Sequence, residues 1–178
     1  MALAFRHLMR RTTTVLRKMN FSIQANKLEY GFLEVVAFEY GTNNIAGSLQ
    51  LGPSQSDLYL AKNRLRSTEP TTVDTIDVGS LVVNEPYRGR GLARLLLIYG
   101  LCYFKNLYPN IKYSVLDDVS DGADLMTGNI YARLGYEQRD HVMLSNTSRN
   151  SLDISSPTKV LDLNNTFFDR ANAIIESF

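Results

Sequence analysis

The run Arg88-Gly89-Arg90-Gly91-Leu92-Ala93 constrains the chain more than any other stretch. It stands where an apolar strand, Gly79-Ser80-Leu81-Val82-Val83, gives way to an apolar helix beginning near Gly91. Glycines at such a junction let the backbone turn tightly and approach a ligand closely. The first amides of the helix then point outward, unpaired, at its positive dipole end, and Arg88 and Arg90 add charge to them. A strand-to-helix turn of this composition is suited to holding phosphate.

Spacing discriminates among phosphate-binding loops. A dinucleotide fingerprint, Gly-x-Gly-x-x-Gly counted from Gly89, would put Arg94 where close helix packing needs glycine or alanine. A Walker loop ends in Gly-Lys-Ser or Gly-Lys-Thr, and neither tripeptide occurs in the chain. The segment does match Arg/Gln-x-x-Gly-x-Gly/Ala, with Arg88, Gly91 and Ala93 at the defining places. The bland alternatives are a Gly-Arg turn that joins two elements, or an arginine-glycine contact to nucleic acid. A second motif follows about forty residues on: Asn129-Ile130-Tyr131-Ala132-Arg133-Leu134-Gly135-Tyr136, which reads Tyr-x-x-x-Gly-Phe/Tyr.

In this order and separation the two motifs resemble the GNAT superfamily of N-acetyltransferases. The resemblance implies an α/β (α+β) fold, a mixed and strongly twisted sheet with a βαβ coenzyme A-binding core and flanking helices. It implies acetyl-coenzyme A as co-substrate and no metal. Arg88, Gly89, Arg90, Gly91, Leu92 and Ala93 would surround the pyrophosphate. Leu81, Val82 and Val83 would run beside the pantetheine arm, with Asn129 as a further cofactor contact and Tyr131 near the sulfur.

Composition agrees with an enzyme-sized globular domain: 178 residues, 44% hydrophobic and 21% charged, enough to bury one good core. The net charge of +1 argues for no nucleic-acid partner, and no apolar stretch predicts a membrane span. Cys102 is the one cysteine, which excludes an internal disulfide and a cysteine zinc site; within an apolar helix it reads as a packed thiol. His7 and His141 lack metal-ligand spacing.

Residues 1–20 read as a basic N-terminal extension or helix and 21–178 as one domain. The first 28 residues contain no acid but carry Arg6, Arg10, Arg11, Arg17, Lys18 and Lys27. With Thr12-Thr13-Thr14 this partly resembles an organellar import signal; the alternatives are an amphipathic helix packed on the domain or a start at Met19. The expected compartment is the cytoplasm, or an organelle if the segment is a leader.

Periodicity predicts strands at Phe21–Ala25, Phe32–Tyr40 and Asn44–Leu51, with Gly41-Thr42-Asn43 as a turn. There is no room for the two helices that GNAT cores usually place between their first two strands. A long loop is predicted over 53–72, then a βαβ unit: strand Thr75–Val83, helix Gly91–Asn106 and strand Ile111–Leu116. A strand after Gly135 running to about Leu144, another at Val160–Leu163 and a C-terminal helix capped by Thr166 complete the chain. The helix stripe Phe167, Phe168, Ala171, Ile174, Ile175 and Phe178 is a packing face, toward the core or a second subunit in a homodimer.

Acyl transfer from a thioester to an amine needs a proton acceptor for the amine, a donor for the thiolate and an oxyanion partner. Asp77, ahead of Gly79 on the strand leading to the loop, is the candidate base, with an exposed strand carboxylate as the alternative. Alternation puts Thr75, Asp77 and Gly79 on one face. Tyr131 is the candidate acid, since a phenol (pKa about 10) can protonate a developing thiolate (about 8.5). The oxyanion would meet backbone amide near Val82 and Val83.

Asp117, Asp118, Asp121 and Asp124 fall within eight positions, where carboxylates would attract a cation or simply cap turns. Asp124 also stands where the family pattern has Asn. The run Leu116-Asp117-Asp118-Val119-Ser120, with the second motif, resembles a viral-type subgroup of GNAT polyamine acetyltransferases. This favours a small cationic polyamine or diamine as acceptor, held at Asp117 and Asp118. A protein lysine or N-terminal amine is the alternative acceptor, and a noncatalytic coenzyme A-binding or interaction module is the alternative of another class.

Overall fold

The computed structural model describes residues 2–54, 74–117, 130–138 and 158–178. Helix α1 (Ala2–Lys18) forms because Phe5, Leu8, Thr12 and Leu16 recur at helical spacing; all four are buried, while Arg6, Arg10, Arg17 and Lys18 are exposed. Its threonine run does not break it. The hydroxyls of Thr12, Thr13 and Thr14 donate to the carbonyls four residues back, at 2.8, 3.0 and 3.0 Å. Asn20, at φ 70°, ends the helix in the left-handed region that asparagine tolerates.

Strands β1 (Phe21–Lys27), β2 (Leu33–Glu39), β3 (Ile45–Ser54) and β4 (Thr75–Val83) form an antiparallel meander. Only a short 3-10 turn, Glu29–Gly31, separates β1 from β2, and the Gly41 turn joins β2 to β3 with φ 76°. Helix α2 (Leu92–Leu107) then crosses to β5 (Tyr113–Asp117), which pairs parallel to β4 and so completes the βαβ unit. Helix α3 (Ile130–Leu134), β6 (Glu137–Gln138), β7 (Thr158–Asp162) and helix α4 (Asn165–Glu176) follow. Among the described residues seven strands make one mixed sheet, ordered β1-β2-β3-β4-β5-β7-β6. The predicted strand after Gly135 is described only as β6; its continuation, and the predicted loop beyond Ser54, lie outside the described residues.

The near-continuous apolar sequence of α2 has a packing reason. The helix lies between the sheet and α1, burying Leu92, Leu95, Leu96, Leu97, Ile98, Leu101, Cys102 and Phe104 in the same core as Phe5, Leu8 and Leu16. The two helices run antiparallel, tied at one end by Arg6 Nε donating to Asn106 Oδ1 (3.1 Å) and at the other by Arg90 Nη2 donating to the Met19 carbonyl (2.8 Å). Burial drives the Cys102 thiol far above its ordinary pKa, so it stays protonated as a packing group.

Strand β4 does not alternate as its sequence predicts. Opposite β3 the register runs Gln50 to Ser80 and then Leu51 to Val78, leaving Gly79 as the extra residue of a β-bulge. Ile76 and Val78 face the core before the bulge, and Leu81 and Val83 pack against it afterwards. Thr75 and Asp77 therefore share a face, but Gly79 does not continue it. In register that face aligns with Tyr113 and Val115 of β5, so Asp77 stands on the side of the sheet away from α2.

Close approach of β3 to β4 depends on Gly47, where a Cβ would lie 2.8 Å from the Val82 carbonyl oxygen and 3.0 Å from Leu96 Cδ1. Because the first of these atoms is backbone, Gly47→Ala must push the strands apart. The expected loss is about 1–3 kcal/mol of stability, measurable by urea unfolding; a midpoint equal to that of the native chain would refute it.

The C-terminal helix starts two positions earlier than a Thr166 cap would place it. Asn164 is the N-cap, its side-chain oxygen accepting from the amides of Thr166 (3.0 Å) and Phe167 (3.2 Å). Phe167, Ala171 and Ile175 enter the core, where Phe167 stacks on Phe5 at 6.1 Å between ring centroids. This stripe is thus used within the chain.

Candidate active site at the fork of the sheet

Parallel pairing of β4 with β5 covers Thr75–Val78 against Tyr113–Leu116 and ends where the bulge begins. Beyond it, Leu81, Val82 and Val83 continue as one wall of a cleft of about 810 Å³. The loop residues Arg88, Gly89 and Gly91, with Leu92 and Ala93 of α2, form its end, and Ile130, Tyr131 and Arg133 of α3 form the facing wall. The strand end and loop, which are continuous in sequence, therefore meet a helix some forty residues further along the chain around one space.

The loop has the geometry its glycines predict. Gly89 and Gly91 adopt φ 79° and 82°, values that an L side chain rarely takes, and Gly91 caps α2 without any side-chain acceptor for the first-turn amides. Arg88 Nε donates to the Val83 carbonyl (2.9 Å), folding the loop back onto the end of β4. Gly135, at φ 106°, turns the chain sharply after α3. The turn lets Tyr136 drop into the core, its hydroxyl 2.7 Å from Ser114 Oγ and its ring edge-on to Tyr131 at 5.8 Å. Burial pushes the Tyr136 phenol well above its ordinary pKa, which keeps it neutral.

No protein-family model matches the chain, and no curated protein matches it in sequence. In structure it is similar to a bacterial toxin, at 19% identity and a TM-score of 0.52, over 83% of this chain and 73% of the toxin. It is similar also to Arabidopsis thaliana NAA60, solved in complex with a bisubstrate analogue, at 13% identity and a TM-score of 0.52, over 88% of this chain and 92% of that one. The Escherichia coli GNAT family N-acetyltransferase YhbS, solved in complex with CoA, aligns at 19% identity and a TM-score of 0.48, over 94% and 79%. The fold is that of the GNAT acetyltransferases.

Within this GNAT fold, Leu81, Val82, Val83, Arg88, Gly89, Gly91, Leu92, Ala93 and Tyr131 come together at the cleft. Arg90 does not join them. Its guanidinium binds the Met19 carbonyl and stacks over the Phe21 ring at 4.8 Å, so it clamps the loop to the α1–β1 junction. Asp77 is likewise outside the cleft lining, two residues before the bulge. Asp118, Asp121, Asp124 and Asn129 lie outside the described residues, and of Asp117 only the backbone, paired with Thr158 at the end of β5, is described.

Sequence reasoning missed Tyr87, Arg94, Ile130 and Arg133, all of which line the cleft. Tyr87 packs edge-on to Phe21 at 5.9 Å and its hydroxyl donates to Glu39 Oε2 at 3.3 Å; desolvation, and then Glu39, raise its pKa. Arg94 directly follows Ala93 of the loop motif and Arg133 lies inside the second motif, two residues after Tyr131, so their spacing was a usable signal. Among the described residues no three His, Cys, Asp or Glu side chains cluster as a metal site, and no helix is long and apolar enough to cross a membrane.

Proposed function

We propose that the chain is an acetyl-coenzyme A-dependent N-acetyltransferase that works by direct attack in a ternary complex. The observation that carries this reading is the meeting of the Arg88–Gly91 loop, the β4 edge past the bulge and Tyr131 around one cleft. Each part matches one section of the co-substrate. The first amides of α2, together with Arg88, suit the pyrophosphate. The backbone of Leu81 and Val83, past the end of the β5 ladder, suits the amides of a pantetheine arm. Tyr131 then stands at the thioester end.

In the reaction the amine nitrogen attacks the thioester carbonyl, a C–N bond forms and the C–S bond breaks. Tyr131 donates its phenolic proton to the departing thiolate. Asp77 accepts the proton of the amine, directly or through water; its place on the far side of β4 supports an acceptor that enters from the face opposite α2. Backbone amide near Val82 and Val83 stabilises the oxyanion. Asn129 is retained as a cofactor contact on its motif position alone.

A small polyamine or diamine is the favoured acceptor, held by Asp117, the last residue of β5, and by Asp118, the next in sequence. A far ammonium fixed by carboxylates would orient the near amine for attack. Purified protein given acetyl-coenzyme A should release thiol on addition of putrescine or spermidine at least tenfold faster than without amine, on the order expected of an oriented acceptor. A flat response across diamines, with acetylation on a peptide array instead, would transfer the assignment to a protein amine.

A further inference from the structure

We propose that the outer edge of β1 is a self-pairing surface, along which two copies of this chain join antiparallel into one continuous sheet. Among the described residues β1 ends the sheet and pairs with β2 alone. Its outward groups follow from the bonds at its two ends. The Tyr40 amide donates to the Asn20 carbonyl (2.8 Å) and the Leu28 amide to the Phe32 carbonyl (2.8 Å), so the even-numbered residues from 20 to 28 bond toward β2. Hydrogen bonding alternates along an antiparallel strand, which turns the N–H and C=O groups of Phe21, Ile23, Ala25 and Lys27 to the free side. The usual guards of an edge are missing here: Phe21–Lys27 holds no proline, its register with β2 is unbroken, and its one charge, Lys27, stands at the end.

The two ends of this edge fit one another, which favours a second copy over an unrelated strand. At one end the turn into β2 projects Tyr30, 87% exposed and held at φ 59°, a left-handed conformation that a bulky side chain rarely takes. Leu28, Glu29 and Phe32 beside it are exposed as well. At the other end a hollow of about 220 Å³ opens between α1 and the start of β1, lined by Leu16, Arg17, Phe21, Ile23 and Tyr40. Arg17 stacks over the Tyr40 ring at 5.3 Å, and Lys18 next to it is exposed. A two-fold axis at Gln24 sets every residue of β1 opposite a counterpart, with Ile23 facing the second copy's Ala25. The same axis carries each Tyr30 past the start of the other β1 toward the hollow there, and each Glu29 toward the basic pair Arg17 and Lys18.

Sedimentation of the full chain at about 1 to 100 μM tests this, with a dimer expected in that range. Gln24 is exposed and meets its own copy on the axis, so Gln24→Lys sets like charges opposite one another and should raise the dissociation constant about fivefold or more. Tyr30→Gly removes the projecting ring at a backbone conformation that glycine accepts, and should weaken the dimer by a similar factor with the far-ultraviolet spectrum unchanged. Glu29→Arg and Arg17→Glu should each weaken association, and the two together should restore it. A native protein that stays monomeric throughout the range overturns the proposal, as does a dimer that all these variants leave intact. A monomer that instead gains hydrogen-exchange protection at Phe21, Ile23 and Ala25 on adding an extended peptide gives the edge to a different protein and also overturns it. Each of these outcomes leaves the acetyltransferase reading where it stands.

Discussion

Tyr131→Phe is expected to lower kcat about a hundredfold or more while leaving the dissociation constant for coenzyme A within about twofold, because general-acid assistance contributes about 10²- to 10⁴-fold. The substitution keeps the ring that lines the cleft and packs edge-on to Tyr136 at 5.8 Å, and removes the hydroxyl. Without that proton the thiolate must leave unprotonated or wait for water, and the cost falls on the chemical step. Steady-state kinetics paired with calorimetry would read the two effects apart. An unaltered kcat would show that Tyr131 serves packing alone, and a parallel fall in affinity would make it a cofactor contact.

Phe5→Ala should destabilise the protein by about 3–5 kcal/mol, the range for emptying a buried phenylalanine site. Phe5 is completely buried, stacked on Phe167 at 6.1 Å and edge-on to Phe168 at 6.3 Å, and belongs to the same core as α2 and the sheet. For a chain of this size the melting temperature should fall by roughly 10 °C. Leu3→Ala, at a side chain 79% exposed on the same helix, should change stability by less than about 0.5 kcal/mol and serves as the control. If the two substitutions behaved alike, the first helix would be a dispensable attachment. The expected difference also bears on the compartment: a leader cleaved near residue 20 would carry Phe5, Leu8 and Leu16 out of the core. Basic charge without acid is what an import signal and the solvent face of a packed helix have in common, so composition could not choose between them.

Much of the site was legible because its parts are local. Gly89 and Gly91 between an apolar strand and an apolar helix specify their own turn, and both take positive φ. Tyr131 through Gly135 specify a short helix and its sharp exit in the same way. Arg90 was not legible. Its partners, the Met19 carbonyl and the Phe21 ring, lie about seventy residues away, so an arginine that reads as a phosphate ligand is in fact a clamp on the loop. The Thr166 cap failed for a smaller reason, since Asn164 two positions earlier is an equally good capping residue.

What the sequence by itself determined is the set of segments: the βαβ unit, the left-handed loop at its first crossover, the Tyr-x-x-x-Gly turn and the amphipathic C-terminal helix. These follow from backbone sterics and from hydrophobic period, which act over a few residues. What only the tertiary structure decided is which way those segments face. The bulge at Gly79 reverses the alternation of β4 relative to β3, so that Leu81 and Val83 follow Val78 into the core, and the packing of Phe178 at Gly91 brings α4 to the loop. Facing depends on pairing register and on contacts between residues distant in the chain. Such choices are settled by burial of the whole core, and no single stretch encodes them.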